Sequence, residues 1–449
     1  MSVRTSLPEK KLSKALARVE RAQTRFAHRY PGDSGARQAV HTVYGGAHLF
    51  SAETPKKLGE LALRALETYA PDAHAFGEAL GIRGEVAGTV MKRVSDKLHR
   101  EPVEDFRIDF EDGYGNRPDD EEDGHAAAAA QQVAIAHAAN GLPPFLGIRI
   151  KPMTRELAAR SLRTLDIFVT ELVTATNGQL PAHFVVTLPK IQTRTDIDVV
   201  IETFELLEDR LDLDSGTLKL EIMVETTQTI LDGQGRNMMP RLHRAAGSRL
   251  VSAHFGTYDY TAGYDITAAH QKMRHLACDF AKNAMKLAFA GTGIQLSDGA
   301  TNIMPVPVHR AKDLSDAQKR ENRDAVWSAW RLHADDVRHS LVNGFYQGWD
   351  LHPAQLVPRY GAVYAFFLEG LTAASERLKN FVGKAAQATL VGDVFDDAAT
   401  GQGLLNYFLR GIACGAVTEQ EALVTGLTLD EIRSKSFVKI MAARRAEAK

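Results

Sequence analysis

The chain has 449 residues, 44% of them hydrophobic and 24% charged, with a formal net charge of -2 at pH 7. That balance is ordinary for a globular protein with a sizeable core, and it argues against a protein that works as a whole by binding nucleic acid or an anionic membrane. Cys278 and Cys414 are the only cysteines, too few for a disulfide framework and in keeping with a cytoplasmic chain.

Residues 1–37 read as an N-terminal helical segment, exposed or docked on a partner, with Lys10, Lys11, Lys14, Arg18 and Arg21 on its solvated face. The segment is basic but has no apolar run of the signal-peptide kind. Nowhere does an apolar run reach the roughly 18 residues of a membrane span. From residue 38 onward strands alternate with helices. Strands are expected at 41–50, 106–112, 145–151, 183–191, 218–225, 250–259, 291–298 and 344–352, each short and rich in β-branched or aromatic residues. Helical spacing of apolar residues marks 54–69, 154–173, 266–290 and 318–342. Eight strands alternating with helices predict a (β/α)8 barrel over 38–382. Two stretches exceed a minimal barrel. One is a helical insertion at about 71–104. The other is a C-terminal helical appendage, 383–449, expected to pack on this barrel or on a neighbouring subunit.

Barrel active sites form at the C-terminal ends of the strands. The expected strand ends here are ionisable: Glu111 and Asp112, Arg149, Lys190, Glu225, Asp259, Asp298 and His352. The stretch RIDFEDGYG places Asp109, Glu111 and Asp112 within four residues, then two glycines. Strand periodicity sets Asp109 and Glu111 on one face and Asp112 on the other. So many carboxylates at one mouth suggest a cation site, because they otherwise repel. Glu225 and Asp259 form the sharpest pair, since two carboxylates from neighbouring strands plus waters and a substrate oxygen suit Mg²⁺. A helix cap or a salt bridge is the competing reading of that pair. His48 reads as a structural histidine beside the mouth, the three tryptophans as core or interface, and Tyr44-Gly45-Gly46 as a tight turn.

Taken in order, DFED, GIRIKP, TLPKI, MVETTQTI, HFGTYDYTAGYD, IQLSDG, NGFYQGWDLHPAQL and GDVFDDA resemble motifs of the HpcH/HpaI aldolase and citrate lyase β-subunit superfamily, which includes malyl-CoA lyases and, more distantly, malate synthase. The resemblance implies a TIM barrel and a Mg²⁺ site, with Mn²⁺ as the alternative ion. Glu225 and Asp259 match its metal ligands. Arg149 matches the arginine that holds the carbonyl or enolate oxygen. Asp109, Glu111 and Asp112 match the acidic strand end beside the metal waters. Asp396 matches a late aspartate that acts as acid/base in the acyl-CoA branch. His352, Pro353 and Gln355 match a motif that is mostly architectural. The late turn departs from the pattern, with Asp393 where a lysine is common and Asp397 as a further carboxylate.

The implied reaction is carbon–carbon lyase or aldolase chemistry on a small hydroxy- or oxo-acid, free or as a CoA thioester, in a homo-oligomer. Lys190 could form a Schiff base, but pairing with the acidic cluster fits better. A malate synthase-like Claisen condensation with thioester hydrolysis, or a non-catalytic binding barrel, are the alternatives.

Overall fold

The computed structural model describes residues 6–32, 36–383, 389–391, 394–396, 398–434 and 436–447. Helix α1 (Glu9–Arg29) precedes strand β1 (His41–Gly46), helices α2 (Thr54–Tyr69), α3 (Ala73–Leu80) and α4 (Gly84–Arg100), and β2 (Asp105–Asp109). Then come α5 (Asp119–Ala138), β3 (Phe145–Arg149), α6 (Ala158–Ala175), β4 (Phe184–Leu188), α7 (Arg194–Arg210) and β5 (Lys219–Val224). The short α8 (Thr227–Ile230) and α9 (Met239–Ala246) lead to β6 (Leu250–Phe255), α10 (Thr257–Gly263), α11 (Leu276–Phe289), β7 (Gln295–Ala300), α12 (Asp316–Val342) and β8 (Gln347–Asp350). All eight strands pair in parallel and close into a barrel in chain order, so the expected (β/α)8 class holds. No helix among the described residues is long and apolar enough to cross a membrane.

Strand β2 shows why the alternation folds this way. Phe106, Ile108 and, just past its end, Phe110 turn outward under the helices and are at most 1% exposed. Burying each such side chain stabilises the fold by roughly 1.5–3 kcal/mol. The alternate residues Asp105, Arg107 and Asp109 turn into the barrel. Barrel interiors are usually filled by branched apolar side chains, but this axis is polar. Arg107 donates from Nε and Nη2 to Glu221 at 3.1 and 2.8 Å. Thr187 and Ser252 donate to the same carboxylate at 2.7 and 2.6 Å, and His254 Nε2 lies 2.8 Å from it. Burial opposes ionisation of Glu221, but Arg107 and His254 outweigh it and hold the carboxyl well below its ordinary range.

The expected insertion is helical, as α3 and α4. The expected helix at 266–290 is shorter: only Leu276–Phe289 is α-helical, after a 3-10 turn at Ala268–His270. After β8, α13 (Leu356–Gly383) is followed by a hairpin of β9 (Thr389–Val391) and β10 (Val394–Asp396), then α14 (Ala398–Ala413), α15 (Glu419–Ala422), α16 (Leu429–Arg433) and α17 (Phe437–Glu447). These helices pack on their own barrel: Arg93 pairs with Glu421 at 2.6 Å, and Arg410 donates to Gln38 Oε1 at 3.0 Å. Helix α14 runs back along α13, with Tyr407 donating to the Phe367 carbonyl, and Phe437 of α17 stacks on Phe381 of α13 with ring centroids 5.1 Å apart. Gln38 precedes β1, so α13 has passed the N-terminal ends of the strands near Phe367. Its last turns carry the chain about 24 Å further from the mouth, at about 1.5 Å per residue.

Candidate active site

Arg149 closes β3 and is 3% exposed. Its Nε donates to Asp109 Oδ1 at 2.7 Å and its Nη2 to Asp109 Oδ2 at 2.5 Å, a bidentate pair between neighbouring strand ends. Nη1 lies 3.1 Å from Glu111 and 3.8 Å from Asp112. Its guanidinium sits 4.8 Å over the Tyr44 ring, and Tyr44 stacks on Trp349 with centroids 4.4 Å apart. Burial alone would make Arg149 easier to deprotonate, but Asp109 and Glu111 more than compensate and hold it firmly cationic.

The acidic stretch is arranged differently from the period-two reading. Strand β2 stops at Asp109, so alternation does not extend to Glu111 and Asp112. Asp109 instead folds the chain back, accepting from the Glu111 amide at 2.9 Å and the Gly113 amide at 2.7 Å. Asp112 therefore turns to the same side as Glu111: Lys190 Nζ contacts Glu111 and lies 3.1 Å from Asp112 Oδ2. Burial outweighs the nearby cations and raises Glu111, whereas Arg149 and Lys190 overcome burial and lower Asp112. The β1 loop meets this turn closely. A Cβ on Gly46 would sit 2.3 Å from the Gly113 carbonyl, so only glycine fits there.

Glu225 follows β5 and is 2% exposed. Its Oε1 accepts from the Lys190 amide at 2.6 Å, and its Oε2 has no hydrogen-bond partner among the described residues. Asp259 lies in the first turn of α10 with its side chain 41% exposed. Burial, and then the Asp259 carboxylate, push Glu225 up to about 8. Lys190 Nζ is 3.4 Å from Asp259 Oδ2. Its pKa is raised, since Glu225, Glu111 and Asp259 outweigh the cost of burying the ammonium. The room for Glu225 depends on Gly256. A Cβ there would lie 2.2 Å from Glu225 Oε2 and 2.5 Å from its Cβ. Gly256→Ala is therefore expected to cost about 1–3 kcal/mol of stability by overpacking, read by chemical denaturation. A loss under about 0.5 kcal/mol would show that Glu225 has another place to go.

Seven predicted site residues, Asp109, Glu111, Asp112, Arg149, Lys190, Glu225 and Asp259, thus meet at one mouth. The eighth does not. The backbone of Asp396 ends β10, beyond the far end of α13, while its side chain, with Asp393 and Asp397, lies outside the described residues. One other strand-end reading changes. Asp298 faces outward, accepting from Lys282 at 3.1 Å and Ser340 at 2.6 Å. His352 caps a 3-10 turn through the Ala354 amide at 3.2 Å, an architectural role. His48 stands beside Tyr114, with ring centroids 5.6 Å apart.

The sequence reading passed over the floor beneath the mouth. Tyr44 Oη lies 3.4 Å from His254 Nδ1, and His254 rests on Glu221. Burial and Glu221 raise the Tyr44 phenol well above its usual range, so it stays protonated. The available signal was strand alternation: Arg107, Glu221 and His254 each sit between apolar neighbours in a strand, where a charge must face the axis. Trp349 joins this floor rather than the core. A cavity of about 630 Å³ opens at the opposite end of the barrel, lined by Arg37, Asp105, Arg107 and Glu221 among others. The mouth remains the better site, because the convergent carboxylates, Arg149 and the loops lie there. An apolar cavity of about 190 Å³ adjoins it, lined by Tyr44, Phe50, Phe106 and His352.

Residues 19–440 match a family described as a domain of unknown function, DUF6986. No curated protein matches. A citrate lyase structure from Burkholderia xenovorans LB400 is 20% identical, with 75% of this chain and 92% of that chain covered and a TM-score of 0.51. A malate synthase of Haloferax volcanii is 14% identical over 78% of this chain and 86% of that one, TM-score 0.47. An HpcH/HpaI aldolase/citrate lyase family protein from Burkholderia cenocepacia J2315 is 11% identical over 80% and 99%, TM-score 0.39. At 20% identity the likeness to the citrate lyase structure is one of fold. By the match over nearly its whole length, the chain belongs to the DUF6986 family.

Proposed function

We propose that the protein is a Mg²⁺-dependent carbon–carbon lyase or aldolase acting on a small hydroxy- or oxo-acid, free or as its CoA thioester. The observation that carries this reading is the pairing of buried Glu225 with Asp259 across the mouth from Arg149. The donor set suits a hydrated divalent ion. Glu225 Oε2 has no hydrogen-bond partner among the described residues, and burial with Asp259 beside it raises its affinity for a proton, so the Lys190 ammonium near Asp259 leaves the pair's charge only partly balanced. Among the described residues no three His, Cys, Asp or Glu side chains are placed to hold one metal ion together. Two carboxylates completed by water and substrate are what Mg²⁺ takes, in place of a closed protein cage. When bound, the ion would polarise the substrate's carbonyl and carboxylate oxygens as a Lewis acid.

The chain's own groups supply the rest. Arg149, fixed by Asp109 and stacked on Tyr44, presents a permanent positive charge where the carbonyl oxygen turns negative. Glu111 and Asp112 orient water around the pair. Lys190 is more fully paired than a Schiff-base lysine should be. Asp396 remains our proposed acid/base, but α13 carries its hairpin away from the mouth of its own barrel. It would therefore act in a neighbouring subunit, which makes a homo-oligomer part of the proposal.

Thermal unfolding tests the ion first. Mg²⁺ at about 100 times its dissociation constant should stabilise the wild type by about 2.7 kcal/mol, reversed by EDTA and absent in Glu225→Ala. A wild type that does not respond sinks the metal reading. Incubation with glyoxylate or pyruvate, with and without acetyl-CoA, tests the chemistry. Release of free CoA only when the keto acid is present would favour the malate synthase-like alternative.

A further inference from the structure

Lys190 touches both carboxylates of the proposed ion site. Its amide donates to Glu225 Oε1 at 2.6 Å, and its ammonium lies 3.4 Å from Asp259 Oδ2. The same ammonium contacts Glu111 and stands 3.1 Å from Asp112. The backbone at Lys190 is left-handed, φ +48°, a conformation that costs energy for a residue with a side chain and persists only where its surroundings impose it. Here it lets one residue hold Glu225 by the main chain while reaching back across the acids with its side chain.

Five carboxylates, Asp109, Glu111, Asp112, Glu225 and Asp259, face two cations, Arg149 and Lys190. Asp109 engages Arg149 with both oxygens. Lys190 is therefore the cation nearest the Glu225–Asp259 pair. We propose that Lys190 is a built-in counter-ion of this pair, and that its ammonium and a divalent cation compete for Asp259. This rests on the reading of Glu225 and Asp259 as ion ligands. A doubly charged ion beside an ammonium on one carboxylate is repelled by it. On ion binding the ammonium withdraws onto Glu111 and Asp112, which it already touches. Its flexible four-carbon stem allows this without backbone movement, and the side chain is 26% exposed. The lysine thereby quenches carboxylate repulsion in the empty site and weakens ion binding in proportion.

The test is calorimetric titration of chelator-treated wild type and Lys190→Met with MgCl₂ alone. The expected result is at least about tenfold tighter binding to Lys190→Met. Its ion-free form should melt below wild type, with the gap closing at saturating Mg²⁺. Lys190→Gln is read in the same way if Lys190→Met does not fold. Equal or weaker affinity in a folded variant overturns the counter-ion role and leaves the ion site standing. Absence of binding to wild type and variant alike overturns the ion site, and the counter-ion role with it.

Discussion

Arg149→Met is expected to destabilise the protein by about 3–5 kcal/mol, the cost of leaving a buried partner charge uncompensated. Asp109 is 1% exposed and gives both oxygens to Arg149. Without the guanidinium it keeps only the Glu111 and Gly113 amides. Denaturant unfolding measures the loss. The double variant Arg149→Met with Asp109→Asn should recover much of it, because the orphaned charge is gone. Activity should not recover. Removing a donor aimed at a developing oxyanion costs about 10²–10³ in kcat, and the amide at 109 supplies no cation. A double variant as unstable as the single one would show that Arg149 works chiefly through its stacking on Tyr44.

The second large effect is on pH dependence. Burial and Asp259 hold Glu225 at about 8, against an ordinary 4.5. Over the window between those values the folded protein keeps a proton that the unfolded chain has released. The unfolded state then binds fewer protons, so stability falls as pH rises. The contribution is fully present below about 4.5 and is lost as pH climbs through about 8. Relative to Glu225→Gln, whose side chain does not titrate, wild type should lose about 3 kcal/mol between pH 4.5 and 7. Denaturation of the two proteins across that range, with EDTA present, measures the difference. Parallel profiles would show that Glu225 is already ionised at neutral pH. Saturating Mg²⁺ should flatten the wild-type profile, since a bound cation favours the carboxylate.

Most of the site's membership was legible in the sequence, while its wiring was not. Glu225, Asp259, Arg149 and Lys190 could be placed because strand ends are local features and barrel strands all end at one mouth. The orientation of Asp112 was misread because periodicity applies only inside a strand, and β2 stops at Asp109. Where it stops is set by the hydrogen bonds that Asp109 makes to the chain beyond it. Asp298 was misread for a related reason. Alternation gives two faces, but only the packing of Lys282 and Ser340 shows which face this aspartate takes.

The sequence by itself determined the fold class. Strand and helix patterns are short-range, and eight β–α units in series have few ways to bury both faces of a parallel sheet. It also determined which residue types would gather at the mouth. Tertiary structure alone decided that Arg107, Glu221 and His254 form one buried network, because these residues are 33 to 147 positions apart and meet only when the barrel closes. It alone decided that Lys190 stands between the two carboxylates of the proposed ion site. It also decided that α13 runs past its own barrel, which sends Asp396 away from the mouth of that barrel. Distances across a closed barrel depend on register and helix length, and neither is written in the residues that eventually meet.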